Sequence, residues 1–107
     1  MPTQPLTVKV ILKVKHEYLE AFIVELTSVR EKCLTEKDCL LFDIDQRLED
    51  PGVVMLTEVW SSREYFENVQ LKRDYFPPYF AAVAPMMAAP IDRTYWTSVA
   101  TYPKREL

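Results

Sequence analysis

The sequence predicts an α+β protein whose elements follow one another as β-α-β-β-α-β. Three observations support this order. Apolar residues alternate with a period of two in four segments, they recur at helical spacing in two others, and a Pro-Gly pair separates the second and third strand segments. A chain of 107 residues with 49% hydrophobic residues has the size and composition of one domain over residues 1–107.

The first strand is predicted from Thr7 to Lys15 and the first helix from Glu17. In the strand, Val8, Val10, Leu12 and Val14 share one face, and Lys9, Ile11, Lys13 and Lys15 share the other. In the helix, the apolar positions are Leu19, Phe22, Ile23, Leu26, Val29 and Cys33. This spacing is typical of an amphipathic helix that lies on a sheet.

The second and third strands are predicted as an antiparallel hairpin, Cys39 to Leu48 and Val53 to Trp60. They are joined by Glu49-Asp50-Pro51-Gly52. Pro-Gly is a turn signal, and Gly52, the only glycine of the chain, is expected to supply a positive φ there.

A second helix is predicted to begin at Ser61 or Ser62, whose hydroxyl caps the first turn, with Glu64 inside that turn. Pro77-Pro78 is expected to end or kink this helix. The small residues from Tyr79 to Ala89 then indicate a short helical turn and a loop.

The last strand is predicted from Arg93 to Tyr102, where β-branched and aromatic residues alternate. The complete order is that of the ferredoxin-like fold, in which helices cover one face of a four-stranded antiparallel sheet. The other face is expected to expose aromatic and aliphatic side chains. Because soluble monomers rarely expose such a patch, a homodimer through this face is expected.

The junction of the third strand and the second helix reads Thr57-Glu58-Val59-Trp60-Ser61-Ser62-Arg63-Glu64-Tyr65-Phe66. A strand that ends in Glu-x-Trp, followed by a polar turn and a Glu-aromatic helix start, resembles the antibiotic biosynthesis monooxygenase-like family. The hairpin Glu49-Asp50-Pro51-Gly52 matches as well. The resemblance implies that two ferredoxin-like sheets pair as a dimeric α+β barrel.

The family resemblance also implies a cofactor-independent monooxygenase-like enzyme that acts on an aromatic or polyketide-derived molecule, such as a phenol, hydroquinone or anthrone. A non-oxidative isomerase or cyclase, or a non-catalytic small-molecule-binding protein, is an open alternative. Many members carry a histidine nine positions beyond the tryptophan, but this chain has Val69 there. Heme-degrading members place asparagine, tryptophan and histidine at the positions of Val10, Val69 and Tyr79. Neither the histidine-based mechanism nor heme degradation is therefore expected for this sequence.

The composition, and the small number of residues that could bind a metal, argue against several other functional classes. The net charge is −3 without a basic stripe, which argues against nucleic acid as a partner. The longest apolar run, Ala81 to Ile91, is interrupted by prolines and is too short for a bilayer span, so a cytoplasmic protein is expected. With His16, Cys33 and Cys39 as the only histidine and cysteines, a zinc site is not expected, nor is a flavin or heme cofactor.

A cofactor-free oxygenase must remove a proton from its substrate so that O₂ can oxidise the resulting anion. It therefore needs a base, a group that stabilises the anion and a dry cavity. The candidate bases are His16, Asp43, Asp45 and Glu58. The two aspartates share one strand face, which points either to the lumen of a barrel or to water.

Trp60 is predicted to form a flat apolar pocket wall with an N–H donor at its edge, and a core tryptophan at the end of the sheet is the alternative. Six aromatic rings follow within sixteen residues, and Tyr65, Phe76 and Tyr79 are expected to face the ligand together with the helix face that contains Val69. Asn68, Arg73 and Arg93 are considered as groups that stabilise an anion, although surface positions are favoured for each.

Overall fold

The computed structural model describes residues 4–103, which form four strands and three α-helices joined in part by 3₁₀ turns. The strands are β1 (Leu6–Lys13), β2 (Cys39–Gln46), β3 (Val53–Trp60) and β4 (Asp92–Trp96), and the helices are α1 (Leu19–Leu34), α2 (Arg63–Asn68) and α3 (Phe76–Val83). The strands form one antiparallel sheet in the order β2-β3-β1-β4. This α+β, ferredoxin-like architecture confirms the predicted fold class.

The register of the sheet determines which side chains share a face. Val10 of β1 pairs with Leu56 of β3 on one side and with Arg93 of β4 on the other, and Val8 pairs with Glu58. Directly paired residues and their second neighbours point to the same side of a sheet. Glu58 and Arg93 therefore lie on the face that carries the apolar β1 side chains.

All three helices lie on this face, and the core is between them and the sheet. The apolar α1 positions Phe22, Leu26, Val29 and Cys33 are buried, as the helical period predicted. They pack with the buried strand residues Val8, Val10, Leu12, Phe42, Val54, Leu56 and Trp60, and with Phe66 and Val83 from α2 and α3. Each such side chain contributes about 1.5–3 kcal/mol when it is fully removed from water.

The second helical region begins as predicted at a serine cap. Ser62 is the N-cap of α2, and its Oγ accepts a hydrogen bond of 3.0 Å from the backbone N–H of Tyr65. The helix ends after only six residues at Asn68, and a 3₁₀ turn follows over Gln70–Lys72. The predicted single helix is thus divided.

The prediction that Pro77-Pro78 ends or kinks this helix is wrong, because the two prolines begin α3 instead. The first N–H groups of a helix have no acceptor within it, so prolines in the first turn remove no intrahelical hydrogen bond. Within the segment Tyr79–Ala89, the residues up to Val83 therefore belong to α3, and Ala84–Met86 form a 3₁₀ turn.

The β2–β3 connection is a tight turn in which Gly52 does not have a positive φ. The expected left-handed conformation is wrong, and close approach is the reason for the glycine. A Cβ atom at Gly52 would lie 3.0 Å from the backbone oxygen of Val14 and 3.1 Å from Nε2 of His16. The turn is held by Asp50, whose backbone oxygen accepts from the N–H of Val53 at 3.0 Å.

The last strand is shorter than predicted and ends at Trp96. Trp96 pairs with Thr7 near the start of β1. The residue before β1 is Pro5, which has no backbone N–H with which to extend the pairing. Residues 97–103 are therefore not part of the strand.

The open face of the sheet carries charged residues beside its aliphatic side chains, whereas the sequence predicted aromatic and aliphatic groups there. Register places Val53 and Met55 of β3 in its centre beside Ile11 of β1. Basic residues of β1 and acidic residues of β2 flank this centre: Lys9 and Lys13 on one side, Asp43 and Asp45 on the other. The only aromatic ring that register places on this face within residues 4–103 is that of Trp96, at the edge strand.

Candidate functional site

A small cavity lies between the helices and the sheet. Its volume is about 60 Å³, and it is lined by Val10, Leu12, Leu26, Val29, Cys33, Phe42, Leu56, Glu58, Phe66, Leu71, Phe76, Tyr79, Phe80, Ile91 and Arg93. This lining is apolar except for Glu58, Arg93, the Tyr79 hydroxyl and the Cys33 thiol. The space holds a few water molecules and is smaller than the about 150 Å³ of a cavity known to hold benzene. An aromatic ligand therefore enters only if some lining side chains move.

Glu58 is the buried carboxyl group of this cavity. It sits on β3 between Leu56 and Trp60 on the helix-covered face, and it is 7% exposed. Burial raises the pKa of this carboxyl group, while the hydrogen bond from Trp60 and the positive charge of Arg93 lower it by less. A buried carboxyl group with a raised pKa at the wall of a cavity is typical of groups that accept and return protons in catalysis.

Trp60 lies behind Glu58 and is not among the residues that line the cavity. Its side chain is fully buried, and its indole Nε1 donates a 2.9 Å hydrogen bond to Oε1 of Glu58. The ring packs on Tyr65 at 6.2 Å between centroids and on Phe66 at 5.9 Å. Trp60 is thus a core residue that orients the carboxyl group, rather than the predicted wall of the cavity.

Arg93 is on β4, two strands away from Glu58, and its side chain lines the mouth of the cavity. It is exposed, and it lowers the pKa of Glu58 through its charge. The sequence favoured a surface position for Arg93. The surface position is correct, but the side chain also borders the cavity.

The outer wall of the cavity is formed by aromatic rings of α3. Phe76, Tyr79 and Phe80 are spaced three and four residues apart, so they share one face of the helix. The rings contact one another, with centroids 5.4 Å apart for both Phe76–Phe80 and Tyr79–Phe80. Phe76 and Tyr79, which were predicted to face a ligand, both line this cavity. Burial, and then the negative charge of Glu58, raises the pKa of Tyr79.

Tyr65 and Arg73, predicted to bind substrate, belong instead to a second polar group around Glu36. The Glu36 carboxyl accepts hydrogen bonds from the hydroxyls of Tyr65 and Tyr75, and Nε of Arg73 donates to it at 3.0 Å. The side chain of Gln70 is fully buried beside them, with its amide 3.1 Å from the Tyr75 hydroxyl. Burial, and then the bond to Glu36, raises the pKa of both tyrosines.

The remaining predicted residues lie away from the cavity. His16 is exposed beside the β2–β3 turn, where its Nε2 is 3.2 Å from Oδ1 of Asp50. Asp43 and Asp45 are exposed on the open face of the sheet, and Asn68 is exposed at the end of α2. Of the four predicted bases, only Glu58 reaches the cavity.

The two cysteines are free thiols, with Cys33 buried at the cavity and Cys39 half-buried. Burial raises the pKa of Cys33 and raises that of Cys39 to about 12. Within residues 4–103, no three His, Cys, Asp or Glu side chains converge as a set of metal ligands. Over the same residues, no helix is both long and apolar enough to cross a membrane.

Sequence reasoning missed Phe66, Phe80 and Glu36 as residues that shape the site. Phe66 and Phe80 were within the aromatic cluster, but the break between α2 and α3 decides which rings point inward. Glu36 gave no signal, since it follows α1 in a polar loop and its partners are 29 to 39 residues further along the chain.

A sequence profile described as antibiotic biosynthesis monooxygenase matches residues 5–75 of this chain. The match includes β1 to β3, α1 and α2, and therefore Glu58 and Trp60. It ends before α3 and β4, which contribute Tyr79 and Arg93 to the cavity. No curated protein sequence matches the chain.

Solved structures with the same fold come from several organisms. A Nitrosomonas europaea protein provisionally called an antibiotic biosynthesis monooxygenase is 23% identical, with a TM-score of 0.85 over 98% of each chain. A protein from Caulobacter crescentus with the same provisional name is 23% identical, with a TM-score of 0.84 over 91% of this chain and 92% of that one. A conserved protein from Methanosarcina mazei is 20% identical, with a TM-score of 0.82 over 89% and 93%. At these identities the similarity establishes the fold alone.

Proposed function

Because the chain belongs to the antibiotic biosynthesis monooxygenase family, we propose that it is a cofactor-independent monooxygenase-like enzyme acting on an aromatic small molecule. Phenols, hydroquinones and anthrones, including polyketide-derived ones, are the substrate classes considered. The observation that supports the proposal most directly is the buried Glu58 carboxyl group, which lies in an apolar cavity and has a raised pKa.

In the proposed reaction Glu58 accepts a proton from the substrate. A raised carboxyl pKa narrows the gap to the pKa of a phenol, which makes this transfer less unfavourable. The positive charge of Arg93, at the mouth of the same cavity, makes formation of the phenolate or enolate less unfavourable. Trp60 holds the carboxyl group through its indole N–H, and the surrounding rings exclude water.

The oxidation itself needs no external reductant. A substrate CH₂ group and O₂ give a C=O group and one water, and a phenol ring C–H is converted in the same way to a quinone carbonyl and water. The substrate supplies all four electrons, one oxygen atom enters the product, and the other leaves as water. Glu58 returns its proton to the departing oxygen.

The test is oxygen consumption by the purified protein with hydroquinone and with anthrone, followed by mass spectrometry of the product. We expect one O₂ consumed per product molecule, at a rate that Glu58→Gln lowers and the control Glu31→Gln, at an exposed position of α1, does not. Conversion of the substrate without O₂ consumption would instead support the isomerase or cyclase. Binding without any conversion would support the small-molecule-binding protein.

The proposal also requires that the purified protein carries no stoichiometric metal, flavin or heme. Metal analysis and the visible absorption spectrum measure this directly. One equivalent of metal per chain, or a reproducible flavin spectrum, would contradict a cofactor-free mechanism.

We also propose that the protein is a homodimer formed through the open face of the sheet. The face carries a basic column on β1 and an acidic column on β2, on either side of β3. A two-fold axis parallel to β3 places the basic column of one copy opposite the acidic column of the other. Lys9 and Asp43 pair with the same β3 residue, Thr57, so they meet at the same height across this axis.

Charge reversal tests this arrangement. Asp43→Lys with Asp45→Lys is expected to weaken the dimer at least ten-fold in sedimentation experiments, because like charges then face each other. Adding Lys9→Glu with Lys13→Glu to the same chain is expected to restore it. The control Glu31→Lys changes an exposed charge on α1 and is expected to have no effect. A stable folded monomer of the unmodified protein at micromolar concentration would refute the dimer.

A further inference from the structure

The arginines of this protein differ in how their charge is compensated. Arg30, Arg47, Arg63 and Arg73 each lie within 4.0 Å of a carboxylate. Arg93 is the exception among the described arginines, because no carboxylate of residues 4–103 lies at that distance. It nevertheless borders an almost entirely apolar cavity. The cation at the cavity mouth is therefore available to a ligand.

Glu58 forms no direct ion pair with Arg93, although the charge of Arg93 still lowers the pKa of this carboxyl group. It is beyond ion-pair distance of Arg93 and accepts its hydrogen bond from Trp60 instead. Burial favours the neutral form of Glu58, so the cavity combines a permanent cation at its mouth with a carboxyl group that is readily protonated. These surroundings favour a ligand that carries a negative charge at the mouth and a neutral ring inside.

The size of the cavity limits that ring. With about 60 Å³ available, a single aromatic ring already requires the α3 side chains to move outward. Phe80 is the side chain best placed to do so, since it is 39% exposed and contacts Phe76 and Tyr79 at the outer wall. A fused-ring ligand needs correspondingly more of the α3 wall to move, because the cavity is already smaller than one ring requires.

We propose that the ligand of this site is a single-ring aromatic acid, whose carboxylate is bound by Arg93 and whose ring hydroxyl reaches Glu58. A guanidinium group presents paired N–H donors that match the two oxygens of a carboxylate. This inference rests on the proposed function, because it assigns the substrate class of the same cavity. It narrows that class from aromatic molecules in general to small phenolic acids.

The experiment compares ligands that differ in one feature. Binding of 3-hydroxybenzoate, its neutral analogue 3-hydroxybenzamide and the two-ring acid 3-hydroxy-2-naphthoate is measured by titration calorimetry. We expect 3-hydroxybenzoate to bind at least ten-fold more tightly than either of the others. Arg93→Gln is expected to remove the preference for the acid over the amide, whereas Arg47→Gln, on the exposed β2–β3 connection, leaves it intact.

The preference of the unmodified protein is itself a test, so the inference does not depend on the folding of a variant. Equal affinity for the acid and the amide, or tighter binding of the two-ring acid, would overturn the inference. A preference that Arg93→Gln leaves unchanged, in protein with a native circular dichroism spectrum, would do so as well. Oxygen consumption with hydroquinone, and its dependence on Glu58, is a separate measurement. If no oxygen is consumed, the proposed function is refuted, whatever the binding experiment shows.

Discussion

Glu58 and Glu36 are two buried carboxyl groups in very different surroundings. Glu36 accepts hydrogen bonds from two tyrosines and an arginine, so its charge is compensated from three directions. Glu58 accepts one hydrogen bond, from Trp60, and otherwise faces the apolar cavity. A compensated carboxylate holds a structure together, whereas an uncompensated one is costly to fold and is available for chemistry.

The two groups also connect different parts of the chain. Glu36 joins the end of α1 to α2 and to the segment before α3, through Tyr65, Arg73 and Tyr75. Within residues 4–103, the side chain of Glu58 is hydrogen-bonded only to Trp60, two residues along the same strand. We therefore expect substitutions at Glu36 to change mainly the stability of the fold, and substitutions at Glu58 to change mainly its activity.

The largest expected effect is on turnover in Glu58→Gln. The amide keeps the shape and accepts the Trp60 hydrogen bond, but it cannot take a proton, so turnover should fall by about 10²–10⁴-fold. Oxygen consumption per folded molecule measures this, and Glu31→Gln, at an exposed glutamate of α1, is the matched control. Unchanged turnover in Glu58→Gln would remove this residue from the mechanism.

The next effect is on stability in Glu36→Ala. Loss of the carboxylate leaves two tyrosine hydroxyls and Arg73 without their common acceptor, so the free energy of unfolding should fall by about 2–4 kcal/mol. Urea denaturation measures the change. Glu31→Ala, an exposed glutamate on α1, is the control and should change stability little. A loss at Glu36 as small as that at Glu31 would contradict its structural role.

Trp60→Phe lies between these two cases because its indole contacts both the core and Glu58. We expect a loss of about 1–3 kcal/mol in unfolding free energy, as for other shape changes in packed interiors. We also expect turnover per folded molecule to fall several-fold. Loss of the N–H donor should raise the pKa of Glu58 further and move the pH profile of turnover upward. A destabilised variant with normal turnover and an unmoved profile would show that Trp60 is only a core residue.

The smallest effect concerns the pH dependence of stability. Because the pKa of Glu58 is raised in the folded state above the ordinary 4.5 of a glutamate, the folded protein binds this proton more tightly than the unfolded chain. The contribution of this group to stability is complete below about pH 4.5 and is lost as pH rises through the raised pKa. Glu58→Gln should flatten this decline in urea denaturation measured at a series of pH values. Identical pH dependence in both proteins would mean that Glu58 is not perturbed by folding.

The sequence was informative where local patterns decide the structure. The alternation in β1, the helical period of α1 and the serine cap at Ser62 each depend on neighbouring residues, and the structure confirms all three. The limits of β4 depend on where its partner β1 begins, which a local pattern does not contain. The role of Pro77-Pro78 depends on the end of α2 several residues earlier.

The site was harder to predict than the fold because it depends on long-range register. Glu58 was identified as a candidate base from the strand motif that contains Trp60. Arg93 reaches the same cavity only because β4 pairs with β1, some 80 residues earlier in the chain. Tyr65 was expected at the ligand because it is aromatic and near Trp60, but its hydroxyl is bound by Glu36, which no spacing in the sequence indicates.

The tandem prolines at the start of α3 have a consequence for the rate at which the cavity exchanges its contents. Pro77 and Pro78 carry no backbone N–H, so α3 is fastened at this end by the Tyr75–Glu36 hydrogen bond. At its far end, the Met86 carbonyl accepts from Lys15 and Met87 forms a β-bridge with Val14. We expect a segment tied at both ends to open as a unit, so that the amide protons of Tyr79 to Val83 exchange with solvent water together. The frequency of that opening then sets an upper limit on how often a molecule can enter or leave.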